Sequence, residues 1–163
     1  MVNKDINIIV AMTNDRVIGI NGSLPWHIPE EIRLFKQITE NNIVIMGKNT
    51  WESLPEKFRP LPNRTNIIVS SSLGAQKGAS ICRNIMEALI IAKNCDGQIY
   101  CIGGAELFSQ MLPISQILHI SWIKNSYAGD IYFPAIDFKQ WIKKEKKEFA
   151  EFTYMQYLRK SRD

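Results

Sequence analysis

Short apolar runs alternate along the chain with stretches whose apolar positions recur at helical spacing. Ile6–Met12, 43–46, 66–70, 98–103 and Ile117–Ile123 read as strands. They are rich in Ile and Val and mostly apolar on both faces, the pattern of a sheet covered on both sides. Between them, 30–39, 84–93 and Ala105–Met111 carry helical patterns. Asn84 is a natural N-cap, and Glu87 three positions on completes a box-like start. Asn94 with Asp96-Gly97 closes that helix. The order predicts an α/β fold with a largely parallel central sheet. Towards the end, 131–133 and 149–158 read as a final pair of strands. The second alternates in polarity and is expected to pair antiparallel at the sheet edge. No internal repeat or low-complexity linker interrupts the pattern.

Composition narrows the class. With 163 residues the chain is expected to form one domain. A domain of this length buries roughly 70% of its unfolded surface and needs no staple. Three cysteines, Cys82, Cys95 and Cys101, are an odd number without C-x-x-C spacing, and the two histidines, His27 and His119, lie far apart. This argues against a disulfide framework or metal site and for thiols in a reducing cytosol. The first apolar run has strand length, too short for a signal core or membrane span. The net charge is +4. Its densest basic run, Lys143-Lys144-Glu145-Lys146-Lys147-Glu148, is interleaved with acids and reads as a solvated segment rather than a nucleic-acid surface. A modest positive field also suits an anionic substrate or cofactor.

The richest stretch for chemistry runs from Val17 to Thr39. Gly19, Asn21, Gly22 and Ser23 make a flexible segment that meets Leu24-Pro25-Trp26, and Pro29 opens an amphipathic helix. Glu30 already supplies acid to the positive end of that helix. Glu31, however, shares a face with Phe35 one turn on, a face that should be apolar. A carboxylate there needs a partner or a purpose. A heterocycle presenting an amino group beside a ring N–H would give both oxygens a charge-assisted fork.

Three weaker motifs accompany it. Val44-Ile45-Met46-Gly47-Lys48-Asn49-Thr50-Trp51 is a strand, a glycine and a helix start, a setting for phosphate on backbone N–H groups. It is no Walker loop. Cys101-Ile102-Gly103-Gly104-Ala105-Glu106 ends a central strand in two glycines that permit close approach of a ligand, without the G-x-G-x-x-G fingerprint. A proline-rich loop, 54–64, carries Arg59, which reads as surface, and Arg64 beside a strand, where a planar fork can clamp a carboxylate.

These motifs, in this order and spacing, resemble dihydrofolate reductase: Gly, four residues, Leu-Pro-Trp, four residues, an acid, three residues, Phe, three residues, Thr. The match runs from about Ile6 to Leu158, with 45–47, 50–53 and Gly103-Gly104 reinforcing it. The resemblance implies a single domain over 1–163 with an adenosine-binding subdomain at about 42–95. Its fold would be a mostly parallel eight-stranded sheet with an antiparallel C-terminal edge strand and flanking helices. It implies NADPH as cofactor and 7,8-dihydrofolate as substrate, with antifolates as inhibitors and no obligate nucleic acid or membrane partner. The expected form is a cytoplasmic monomer.

The resemblance also assigns residues. Glu31 would hold the pterin and promote protonation of its imine nitrogen through a water that Trp26 helps position, with Leu24 beside them. Ile9, Val10, Ala11, Ile32, Phe35, Leu54 and Ile102 would line the substrate pocket. Ser121 would support Glu31 by a hydrogen bond, and Arg64 would bind the α-carboxylate of the glutamate tail. The cofactor would meet Ala11, Ile18, Gly19, Asn21, Gly22, Ser23 and Leu24 on the lid side. Gly47, Lys48, Asn49, Thr50, Ser70, Ser71 and Arg83 fall at its phosphate or adenosine positions. Ile102, Gly103, Gly104, Ala105, Glu106, Leu107 and Phe108 fall along its pyrophosphate and nicotinamide. The family joins its Gly-Gly pair by a cis peptide, and residues 14–24 would form a lid braced by Asp130.

Several positions depart from common bacterial forms. Glu31 stands for the usual Asp and Lys48 for a frequent Arg. Ala105, Phe108 and Ser121 stand for Gly, Tyr and Thr, and 55–59 looks inserted. Two rival readings remain at this stage: a related pyrimidine or pterin reductase, and a catalytically silent nucleotide- or RNA-binding protein.

Overall fold

A computed structural model describes residues 4–161; the outermost residues of the expected 1–163 domain lie outside that range. In chain order the elements are β1 (Ile6–Met12), β2 (Val17–Gly19), α1 (Pro29–Thr39), β3 (Ile43–Gly47), α2 (Lys48–Ser53), β4 (Thr65–Val69) and β5 (Ala79–Cys82). There follow α3 (Ile85–Lys93), β6 (Ile99–Gly103), α4 (Ala105–Met111), β7 (Ile117–Ile123), β8 (Ile131–Tyr132), β9 (Trp141–Glu148) and β10 (Phe152–Arg159). Eight strands form one sheet in the order β5-β4-β3-β6-β1-β7-β10-β9, and β2 pairs with β8 in a small separate sheet. The first six strands of the large sheet are mutually parallel, whereas β10 is antiparallel to both β7 and β9.

Strand alternation divides the core. Ile8, Val10 and Met12 of β1 pack with Leu107, Phe108 and Met111 of α4 and Ala88, Leu89 and Ala92 of α3. On the other face Leu34 of α1 packs with Trp26, Ile123, Phe152 and Tyr154, and Ala11 joins them. Beside these, Val44, Met46, Trp51 and Ile68 gather Phe35, Leu54 and Ile102 at their margin. Both faces of the central strands are covered, which is why those strands are mostly apolar, with Asn7, Asn66, His119 and Ser121 as buried polar exceptions. Asn84 caps α3 by accepting the Glu87 N–H at 2.9 Å, and the Glu87 carboxylate reaches back to the Arg83 N–H at 2.8 Å.

The C-terminal region differs from the sequence reading. The strand expected over 149–158 begins at Phe152, because Phe149 to Glu151 form the turn, closed by Phe149 N–H to Phe152 O at 2.9 Å. It is not the edge. The edge is β9, the charged run read as a solvated segment. Only Trp141 of β9 is buried, and Lys124–Glu148, Lys146–Glu148 and Lys147–Glu145 make surface ion pairs of 3.1, 3.3 and 3.5 Å. Lysines on an edge discourage pairing with another chain, so a strand in that place is solvated by nature. The run 131–133 supplies the two residues of β8, which belong to the small sheet.

Candidate active site

The carboxyl ends of β3, β6 and β1 lie side by side, with α1 crossing from β1 to β3 on one face and α4 leaving β6 on the other. Opposite departures of crossovers open a crevice beyond the strand ends, the usual place for a ligand in an open α/β sheet. Gly47, Gly103-Gly104 and Ala11 stand at this crevice, and α1 presents Glu31 and Phe35 from its first two turns.

Glu31 is half-buried, and its backbone N–H donates to the Ile28 carbonyl at 3.0 Å to start the helix. Its carboxylate has no hydrogen bond or ion pair among the described residues. Burial alone pushes its pKa from 4.5 up to about 7. A carboxyl held near neutrality by desolvation can carry or release a proton at working pH. Ser121 is buried in register with Ala11 on one side and Tyr154 on the other. The expected Ser121–Glu31 hydrogen bond is not made: the one-carbon arm of Ser121 stays within its sheet row.

Trp26 is buried, and its indole Nε1–H has no acceptor among the described residues. A buried donor without a protein acceptor is available to water or ligand. The Tyr127 ring and the indole meet in a T-shaped contact, 5.5 Å between centroids and 61° between planes. Leu24 is 56% exposed, at the end of an exposed tip formed with Asn21, Gly22 and Ser23. That tip closes on itself through Ile20–Ser23 backbone bonds of 2.8 and 2.9 Å. Asp130 braces it, taking the Asn21 N–H at 3.1 Å and donating its own N–H to Gly19 O at 3.0 Å.

Gly103-Gly104 is joined by a cis peptide. A Cβ on Gly103 would stand 2.8 Å from the Phe108 ring at a φ of +106°. One on Gly47 would stand 3.8 Å from Gly103 O, and one on Gly104 3.6 Å from Thr50 Oγ1. The Gly47–Thr50 turn and the diglycine therefore pack against each other, and a side chain on either glycine would enter the cradle between them. Neither α2 nor α4 has a side-chain N-cap, so their first N–H groups are open to an anionic acceptor. Lys48 and Thr50 are half-buried here, with Asn49 exposed. At the sheet's far side, Ser70 Oγ accepts the Ser72 and Leu73 N–H groups, and Arg83 Nη1 donates to the Ser70 and Leu73 carbonyls at 2.9 and 3.0 Å. Both residues thus shape the loop that presents exposed Ser71.

The lining residues divide. Phe35, Leu54 and Ile102 come together at one margin and Ile32 is exposed beside them on α1, while Ile9 is buried on the crevice face of β1. Val10 and Leu107 turn their side chains into the opposite core, because strand alternation and the inner face of α4 put them there. Ile18 also packs towards that core. Ala105 is half-buried and Glu106 exposed in the first turn of α4. Arg64 is fixed by donating Nε to Pro62 O at 2.9 Å and Nη1 to Thr39 Oγ1 at 3.2 Å. Burial lowers its pKa against the pull of Glu40. Thr39 ends α1 as Glu31 begins it, about 12 Å apart along the axis. An elongated ligand along α1 could meet a carboxyl at one end and a guanidinium at the other. Arg64 also borders an open hollow of about 620 Å³ with Asn41, Asn63 and Asp96, at the amino ends of β3 and β4 and away from the carboxyl-end crevice.

Sequence reasoning missed Tyr127. Its signal is a lone aromatic in Asn125-Ser126-Tyr127-Ala128-Gly129, where a loop would otherwise be polar or small.

A family model described as dihydrofolate reductase matches residues 5–159. The chain is 35% identical over 161 residues to the dihydrofolate reductase of Neisseria meningitidis serogroup A, covering 94% of this chain and 98% of that protein. It is 34% identical over 166 residues to that of Bacillus subtilis strain 168, covering 96% and 95%. Among solved structures it is similar to the Enterococcus faecalis dihydrofolate reductase complexed with NADP(H) and RAB-propyl. The TM-score is 0.86 at 30% identity, covering 96% of this chain and 97% of that one.

Proposed function

The chain belongs to the dihydrofolate reductase family, and from that membership we infer that it reduces 7,8-dihydrofolate to 5,6,7,8-tetrahydrofolate with NADPH. The observation that carries the proposed mechanism is Glu31: a desolvated carboxyl without a partner among the described residues, at the ends of the central strands, with its pKa raised to about 7.

The residues present fit the cofactor. Gly47 and Gly104 leave the cradle between Gly47–Thr50 and Gly103-Gly104 open to a ligand, and two uncapped helix starts and Lys48 complement phosphate. Arg83 and Ser71 would meet the adenosine end, within the subdomain at about 42–95. When bound, NADPH supplies the hydride. The protein orients the acceptor ring and manages the proton. Glu31 receives the amino group and ring N–H of the pterin as a fork. Held near neutral pH by desolvation, it promotes protonation of the imine nitrogen, which makes the neighbouring carbon a better hydride acceptor. Trp26 offers its indole N–H to a water on that route. Phe35, Leu54, Ile32 and Ile102 enclose the ring and linker, and Arg64 takes the tail carboxylate with its remaining donors. The lid over 14–24, braced by Asp130, limits water at the reacting atoms. The product would feed one-carbon metabolism, with the protein acting as a cytoplasmic monomer; its three free thiols suit a reducing compartment.

The test is NADPH oxidation by the purified protein with dihydrofolate and with a tail-less dihydropterin. Oxidation favouring dihydrofolate supports the reading. Equal use of both, unchanged in Arg64→Leu, would favour a pterin reductase without a tail clamp.

A further inference from the structure

Trp26 is held by packing at its polar edge, because no acceptor among the described residues fixes the direction of its indole N–H. The half-buried ring of Tyr127 packs against it in a T-shaped contact, 5.5 Å between centroids. Trp26 and Tyr127 belong to one apolar cluster with Val17 of β2 and Ile28, the residue before α1. Tyr127 stands three residues from Asp130, whose carboxylate and N–H hold Asn21 and Gly19 of the lid. Between them, Gly129 lies so close to the lid that a Cβ there would be 2.2 Å from Val17 Cγ1 and 2.7 Å from Gly19 O. One short segment therefore touches the lid at three points and the indole at a fourth.

We propose that Tyr127 is a positioning residue that couples the docked lid to the direction of the Trp26 indole N–H, and so to proton delivery beside Glu31. With Asp130 on the lid, the 127–130 segment is pinned and the Tyr127 ring seats the indole. When the lid leaves Asp130, the segment loses its seat at Gly129, and the indole gains freedom that no hydrogen bond restrains. The phenol hydroxyl takes no part, since Tyr127 makes no hydrogen bond among the described residues; the ring is what acts. The proposal rests on the reading of Glu31 and Trp26 given above.

The experiment compares wild type with Tyr127→Ala, Tyr127→Phe, Trp26→Phe and Asp130→Ala. The readouts are single-turnover hydride transfer across pH and the Trp26 indole resonance in ¹H–¹⁵N spectra, assigned by its loss in Trp26→Phe. Tyr127→Ala is expected to slow hydride transfer about tenfold, most above neutral pH, with KM for NADPH nearly unchanged and the pH midpoint moved down. Tyr127→Phe is expected to restore the wild-type profile. Asp130→Ala is expected to move the Trp26 indole resonance in the same direction as Tyr127→Ala. If Tyr127→Ala only lowers Tm and leaves the profile intact, or Asp130→Ala leaves the indole resonance in place, the proposal fails. If Trp26→Phe itself leaves the profile intact, the underlying reading of Trp26 fails, and the proposal with it.

Discussion

His119 Nδ1 lies 2.8 Å from the Tyr154 hydroxyl, and the direction of that hydrogen bond is fixed two strands away. Asn7 Nδ2 donates to Ile99 O at 3.1 Å, so Asn7 Oδ1 is the acceptor that faces His119 Nε2 at 3.0 Å. Nε2 therefore carries the proton, Nδ1 accepts, and Tyr154 donates. The chain ties β6, β1, β7 and β10 together under α1. It requires a neutral imidazole, and burial lowers the His119 pKa from 6.5 to about 4 against the opposing field of Glu145.

The consequence is acid sensitivity. A depressed folded-state pKa contributes stability that is present above 6.5 and lost as pH falls through about 4. The full effect is about 3 kcal/mol. Urea unfolding of His119→Gln should show a flatter loss of stability over that interval than wild type. Equal slopes would contradict a neutral, buried His119.

Glu31 has the opposite sign. Its raised pKa means stability present below 4.5 and lost as pH rises through about 7. Glu31→Gln should therefore be more stable than wild type at about pH 8, by about 2 kcal/mol, with the gap closing at about pH 4. Thermal unfolding without ligands checks this. A Glu31→Gln protein equally stable to wild type at both pH values would mean that the carboxyl is well solvated.

Gly103→Ala should damage the cofactor cradle. The new Cβ would meet the Phe108 ring at 2.8 Å and sit at a φ of +106°. A cost of about 1–3 kcal/mol is expected, with a smaller rise of Tm on adding NADPH. An undiminished rise would place the cofactor elsewhere.

Arg64→Leu should raise KM for dihydrofolate about 10- to 100-fold, the worth of a charged hydrogen bond, and leave a tail-less dihydropterin unaffected. Its fixed partners, Thr39 Oγ1 and Pro62 O, show that the guanidinium is already oriented. Equal losses on both substrates would show a structural rather than a binding role.

Much of this was legible from local pattern. The parallel strands announced themselves by Ile and Val runs, and Glu31 by an acid on a face that should be apolar. The β9 edge was hidden because Lys143 to Glu148 satisfy the rule for a solvated segment and for a guarded edge strand equally well. β5 is only four residues, Ala79–Cys82, with one exposed serine and no marked alternation. Its strand identity comes from pairing with β4. The Asn7–His119 bond joins residues 112 apart, so no local window contains it. Tyr127 and Trp26 likewise meet only once β7 brings its following loop back beside the lid. Ser121 shows the reverse case: its place in the fold was legible, but its bond to Glu31 was not formed.

The central claim is that Glu31 carries the proton economy of the reaction. The direct measurement is single-turnover hydride transfer from NADPH to dihydrofolate as a function of pH, in wild type and Glu31→Gln. Wild type should lose rate as pH rises past about 7, and Glu31→Gln should be slower by a factor of about 100 or more while still binding NADPH. A Glu31→Gln protein with wild-type rate and the same pH dependence would contradict the account.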